Sequence, residues 1–209
     1  MKTSSRIAQN ILEMIGLSLW GFRPNLMQHI VEQHGAGASL AWFVKNMPTY
    51  ENTLKQWGGI RTHLLTAGIS VLNGCPYCTY GHAYALQLHH FKNTDSLMPS
   101  DENEIVSWHT LPENEAIDKF RQLIKDAGLS NELPIFERML LFRQGVEQPA
   151  SKEDKQIAHL LAMFSFLNSC GIKGKTNPDQ AHDPINKDTS LRDEYHRART
   201  ESNQNKITA

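Results

Sequence analysis

Cys75 and Cys78 stand three apart in the run NGCPYCTYGH, and His82 follows the second cysteine by four. Two thiols and an imidazole at that spacing can hold a metal ion together, cycle between dithiol and disulfide, or lie inert in a core. A haem-attachment run needs histidine directly after the second cysteine, and Thr79 stands there instead. In a helix that begins at Pro76, a residue suited to a first helical turn, Cys75 takes the N-cap and Cys78 the first turn. Backbone N–H groups there lack partners and the helix dipole is positive, which favours a thiolate. Cys78 and His82 then share a helix face, so the imidazole can take or share the thiol proton. An ordinary thiol is only about 3 % ionised at pH 7. A pKa lowered by about two units, worth about 2.7 kcal/mol, would leave roughly three-quarters as thiolate. That spacing therefore predicts an activated Cys78. One thiolate attacking a peroxide oxygen becomes a sulfenic acid, and a neighbouring thiol condenses with it to a disulfide and water.

The longer run LNGCPYCTYGHAYAL resembles the AhpD-like alkylhydroperoxidases, grouped with the carboxymuconolactone decarboxylases, specifically over residues 55–90. The resemblance implies an all-helical, cytoplasmic homo-oligomer, a trimer or hexamer, acting as a thiol-dependent peroxidase. It implies Cys78 as the attacking thiol, Cys75 as the resolving thiol and His82 as acid–base partner. No metal or organic cofactor is implied. A dithiol reductant of the thioredoxin or lipoyl type would reset the disulfide. Two positions depart from the family pattern. The family carries glutamate twelve residues before the first cysteine, and this chain carries His63; Tyr77 stands where the family often has histidine. His63 is a possible relay member or a core histidine. As a relay member it would replace a fixed negative charge by a group titrating near neutrality, so the His63–His82 pair is expected to titrate between about pH 6 and 8.

Two alternatives stay open. Cys75, Cys78 and His82, with His63 as fourth ligand, form a possible zinc set that would staple a helical interaction module. A decarboxylase-like relative with vestigial peroxidase activity is the other.

The elements that must position these residues read as helices. Ile7, Ile11, Ile15 and Leu19 recur four apart, and Ile60, Leu64, Ala67 and Val71 keep helical spacing up to Asn73-Gly74, a helix-ending pair. The two helices on either side of that pair predict an antiparallel hairpin with His63 and His82 at similar depth. A later helix opens on Ser151 and Asp154 and is expected to close at Gly171. Strand signals are scarce. The prediction is an all-α helical bundle of about seven or eight helices in one domain over 1–172, with its core motif in 55–92. Residues 173–209 are polar with little apolar period, which predicts a tail or an arm draped over a neighbouring subunit through Ile185, Leu191 and Tyr195.

Residues 62–91 carry no Lys, Arg, Asp or Glu and read as the most buried part of the fold; Pro76 and the histidines argue against a membrane span. The net charge of -1 gives no footprint for nucleic acid. Three cysteines do not make a disulfide framework, so a reducing compartment is expected. Cys170 reads as a buried apolar residue, Trp42, Phe43, Tyr50 and Trp57 as core or interface, and His89-His90 as a helix C-terminal cap.

Overall fold

The Asn73-Gly74 stop closes its helix by a Schellman arrangement: Gly74 N–H donates to Val71 O and Cys75 N–H to Ser70 O, with Gly74 at φ 75°. Cys75 is thereby the hinge residue between two helices and the N-cap of the second, its Sγ accepting the Cys78 N–H at 3.4 Å. In this computed structural model, residues 3–208 are described, with side chains through Gln204. Among the described residues there are nine α-helices and no strand, as an all-α chain predicts. They are α1 (Thr3–Trp20), α2 (Leu26–His34), α3 (Ala36–Leu72), α4 (Pro76–Thr94), α5 (Glu102–Ser107), α6 (Glu113–Asp126), α7 (Leu133–Arg143), α8 (Lys152–Gly174) and α9 (Thr189–Thr208). None is long and apolar enough to cross a membrane.

The hairpin of α3 and α4 is the centre of the molecule, and α8 packs on both arms. Helix α3 breaks at Gly58, whose φ of 79° and ψ of 168° lie outside the helical region. A side chain would be strained there. Beyond the break, every residue from Thr62 to Val71 is buried, and so is most of α4. That accounts for the charge-free sequence: an unpaired charge here would cost several kcal/mol.

Helix α8 opens with a reciprocal cap, Asp154 N–H to Ser151 Oγ at 3.0 Å and Ser151 N–H to Asp154 Oδ2 at 2.8 Å. It runs three residues beyond the expected stop at Gly171. That glycine serves packing rather than termination, because a Cβ on it would lie 2.8 Å from Cys75 Sγ.

The polar segment from residue 173 corrects the sequence expectation of a tail or a subunit arm. It folds back on its own chain. Ala181, Ile185, Leu191 and Tyr195 join Tyr84, Leu88 and Phe91 in a second small core. Tyr195 Oη donates to Glu102 Oε2 at 2.6 Å and Arg199 donates to Gln87 Oε1 at 2.8 Å. A few apolar anchors suffice because the buried polar groups between them are hydrogen-bonded rather than left bare.

Candidate functional site

Both thiols are closed off, Cys75 at 0 % and Cys78 at 2 % exposure. Only Cys78 lines the cavity beside the hairpin, together with His82, His182, Tyr50, Tyr77 and apolar side chains such as Met163. The space open to a water-sized molecule is ≈ 30 Å³, room for a molecule or two of about that size.

The histidines meet as the hairpin geometry predicts. His63 Nδ1 and His82 Nδ1 are 3.1 Å apart, with the rings stacked 5.3 Å between centroids. His63 Nε2 lies 2.7 Å from Asp183 Oδ2. Asp183 is the residue that sequence reasoning missed. It brings a carboxylate to the His63–His82 pair from the far end of the chain. Its carboxyl is buried, which alone would raise its pKa. Hydrogen bonding to His63 and the proximity of His89 nonetheless hold it well below the ordinary carboxylate range.

The tautomers follow from this. A carboxylate can only accept, so His63 carries its proton on Nε2 and presents a bare Nδ1. His82 must then donate from Nδ1, which leaves its Nε2 lone pair free. Burial lowers the pKa of His63 against the pull of Asp183, and burial together with His63 takes His82 well below its usual value. Both shifts favour the neutral rings, and His82, the further lowered of the two, holds a second proton less readily than His63.

The thiols also differ from expectation. Hydrogen bonding from the Cys78 thiol pulls the Cys75 pKa down, against its burial, with help from the N–H groups of Cys78 and Tyr77. Burial and the neighbouring Cys75 push Cys78 well up. Between the two sulfurs, these directions favour thiolate character at the N-cap Cys75 over Cys78. The favourable field lies where the helix start puts it, and burial opposes it at Cys78. Desolvation outweighs the first-turn field at Cys78, and His82 Nδ1 is engaged by His63.

Further groups close the site from the C-terminal segment. Asp179 accepts from Tyr77 Oη at 2.8 Å, from Asn25 N–H at 2.9 Å and from its own neighbour Gln180 N–H, and lies 3.1 Å from His182 Nε2. The His182 ring stacks on Trp20, and its backbone N–H donates to Gly81 O at 3.1 Å. A Cβ on Gly81 would fall 2.3 Å from the His182 ring, so this glycine in α4 is what lets the segment dock. The available sequence signal was AHDP: an acid and a histidine before a proline, inside a run otherwise read as solvated.

Other assignments divide. His90 does tie down chain ends, its ring nitrogens 3.1 Å from Ser96 O and 3.2 Å from Ala127 O. His89 turns instead toward Asp183. Tyr50 is core, as expected, but also lines the cavity. Cys170 is buried with Sγ 3.4 Å from His34 Nε2.

No protein-family model, curated protein or solved structure matches the chain.

Proposed function

We propose that the protein is a thiol-dependent peroxidase, in keeping with the AhpD-like resemblance of its motif helix. The observation that carries this reading is that Cys78 and His82 line one cavity while His82 is held, through His63, by the ionised Asp183. A peroxide entering the cavity meets the Cys78 thiol. His82 Nε2 takes the thiol proton as the sulfur attacks the near peroxide oxygen. The O–O bond breaks, Cys78 becomes a sulfenic acid, and the leaving oxygen takes up the proton as water or an alcohol. The positive charge passing through His82 and His63 faces Asp183, which stabilises it. Cys75 then attacks the Cys78 sulfur, releasing water and forming the Cys75–Cys78 disulfide.

The free volume favours hydrogen peroxide or a very small alkyl hydroperoxide over a bulky one. Burial of both sulfurs favours a slim dithiol arm of the lipoyl kind over a surface-exposed dithiol as the reductant. A cytoplasmic, reducing location suits that cycle. Assembly is part of the proposal: Ile7, Ile11, Met14 and Leu17 form an exposed apolar face on α1, which would be covered by another copy in a trimer or hexamer. The zinc-staple alternative loses ground because His63, its fourth ligand, has both ring nitrogens taken, one by His82 and one by Asp183.

Sulfenic-acid trapping tests the reading. The Cys75→Ser variant is expected to consume one equivalent of peroxide and leave a trappable sulfenic acid at Cys78, whereas Cys78→Ser should do neither. Trapping only in Cys78→Ser would make Cys75, the sulfur with the lower pKa, the attacking one.

A further inference from the structure

Behind the relay, on the side away from the thiols, three ligand-type atoms converge. His63 Nε2, His89 Nε2 and a carboxylate oxygen of Asp183 all lie within 4.8 Å of one another. Three separate elements supply them: the second half of α3, the C-terminal half of α4 and the docked segment. His63 and Asp183 are almost fully buried, and His89 is partly so. The rings of His63 and His89 stack at 19° with centroids 5.7 Å apart, so both present the same edge to the carboxylate.

Two further observations point to a ligand. First, His89 Nε2 is buried and lies 3.1 Å from Asp183 Oδ1, an ion-pair contact, without making a hydrogen bond. The backbone is shaped to put it there. Gly59, next to the α3 break, carries no Cβ, and one would lie 2.1 Å from His89 Nε2. Second, Tyr50 Oη and Glu51 Oε1 are also buried without partners. Tyr50 is 1 % exposed. Burial raises the pKa of both Tyr50 and Glu51, and the charge on Asp183 adds to it. A cation beside Asp183 would offset that charge.

We infer that His63, His89 and Asp183 form a binding site for a divalent transition metal ion. Two imidazoles and one carboxylate suit Zn²⁺ and its neighbours rather than Mg²⁺ or Ca²⁺, which take oxygen ligands. Metal–ligand bonds of about 2.0–2.2 Å need the three atoms, now within 4.8 Å of one another, to readjust only modestly around an ion. Coordination requires His63 Nε2 to be unprotonated. The proton of the neutral ring then sits on Nδ1 and donates to His82 Nδ1, and His82 carries its own proton on Nε2. In that tautomer His82 cannot accept the Cys78 proton. Metal occupancy and relay function therefore exclude each other, and the ion is an inhibitor. The inhibitory half of this inference rests on the peroxidase reading; the site itself does not.

Titration of the reduced full chain with Co²⁺ and Zn²⁺ separates the two halves. The expected Co²⁺ spectrum shows nitrogen–oxygen ligation with no thiolate charge-transfer band, saturating at one ion per chain. The Cys75→Ser/Cys78→Ser double variant should bind equally well. His89→Gln should bind at least about 100-fold more weakly, more than the loss expected for an outer-sphere change. Mg²⁺ should not compete. No binding by the wild-type chain, a thiolate band, or loss of binding in the double cysteine variant would overturn the site. In wild-type protein one equivalent of Zn²⁺ should lower peroxide consumption at least about 100-fold, the low end for loss of a general base. Unchanged consumption with the site loaded would overturn the switch. Absence of consumption in metal-free protein would count against the peroxidase reading and leave the site to stand on its cobalt spectrum.

Discussion

Residues 62–91 and 173–199 build the same site from sequences of opposite character. The first stretch is charge-free and almost wholly buried, and its helices, turn and thiol spacing can be read directly. The second is mostly polar with a few apolar anchors, yet it contributes Asp179, His182 and Asp183, each buried or nearly so. The difference is one of accounting. Apolar burial leaves a periodic trace in sequence because every residue on a face must be apolar. Burial of polar groups leaves none, because what makes it tolerable is a partner elsewhere in the chain. His63 needs Asp183, and Tyr77 needs Asp179; neither pairing is visible until the segment is docked.

If the two regions are as interdependent as their contacts imply, removing the second should have the largest effect. A chain ending at residue 172 loses Ile185, Leu191 and Tyr195 from the small core. Burial of a large apolar side chain contributes roughly 1.5–3 kcal/mol, so the loss is about 5 kcal/mol or more, comparable to the whole stability of many domains. The expected outcome is loss of near-UV circular dichroism and of a cooperative unfolding transition. A truncated chain that unfolds cooperatively near the wild-type midpoint would return the segment to the status of a tail.

Asp183 gives a sharper cut. Asp183→Ala should lower peroxide reduction about 100-fold, within the range for a disabled acid–base relay. It should also cost about 1–3 kcal/mol through the unpartnered His63. Asp183→Asn distinguishes positioning from mere support. An amide can donate to His63 Nε2 and so favour the wrong tautomer, leaving stability near wild type while activity falls as in the alanine variant. If Asp183→Asn keeps full activity, the tautomer argument fails.

A smaller effect is expected where α4 receives the segment. Alanine normally stabilises a helix over glycine by about 1 kcal/mol. At Gly81 the added methyl meets the His182 ring, which is held by Trp20 and Asp179 and has little room to move. Overpacking of this kind costs about 1–3 kcal/mol, so Gly81→Ala should lower the denaturation midpoint. An unchanged or higher midpoint would show that the docking contact is soft.

How far the molecule was legible in the sequence follows the same division. The all-helical class, the hairpin at Asn73-Gly74, the N-cap position of Cys75 and the facing of His63 and His82 all follow from local spacing and turn chemistry. Gly171 was misread as a stop because a glycine that permits close approach looks the same in sequence as one that ends a helix. The desolvation that opposes a thiolate at Cys78 was not legible, because the first-turn field is local whereas desolvation depends on what packs over the sulfur. The carboxylate that meets His63 could not be found within the motif, since Asp183 lies 120 residues away.

The central claim is that Cys75 and Cys78 form a peroxide-reducing pair driven by the relay from Asp183. Disulfide mapping of the reduced chain after one equivalent of hydrogen peroxide tests it most directly. The account predicts one peroxide consumed, two of the three thiols lost, and a single Cys75–Cys78 disulfide, with Cys170 still free. Three intact thiols with the peroxide unspent, or a disulfide involving Cys170, would contradict it.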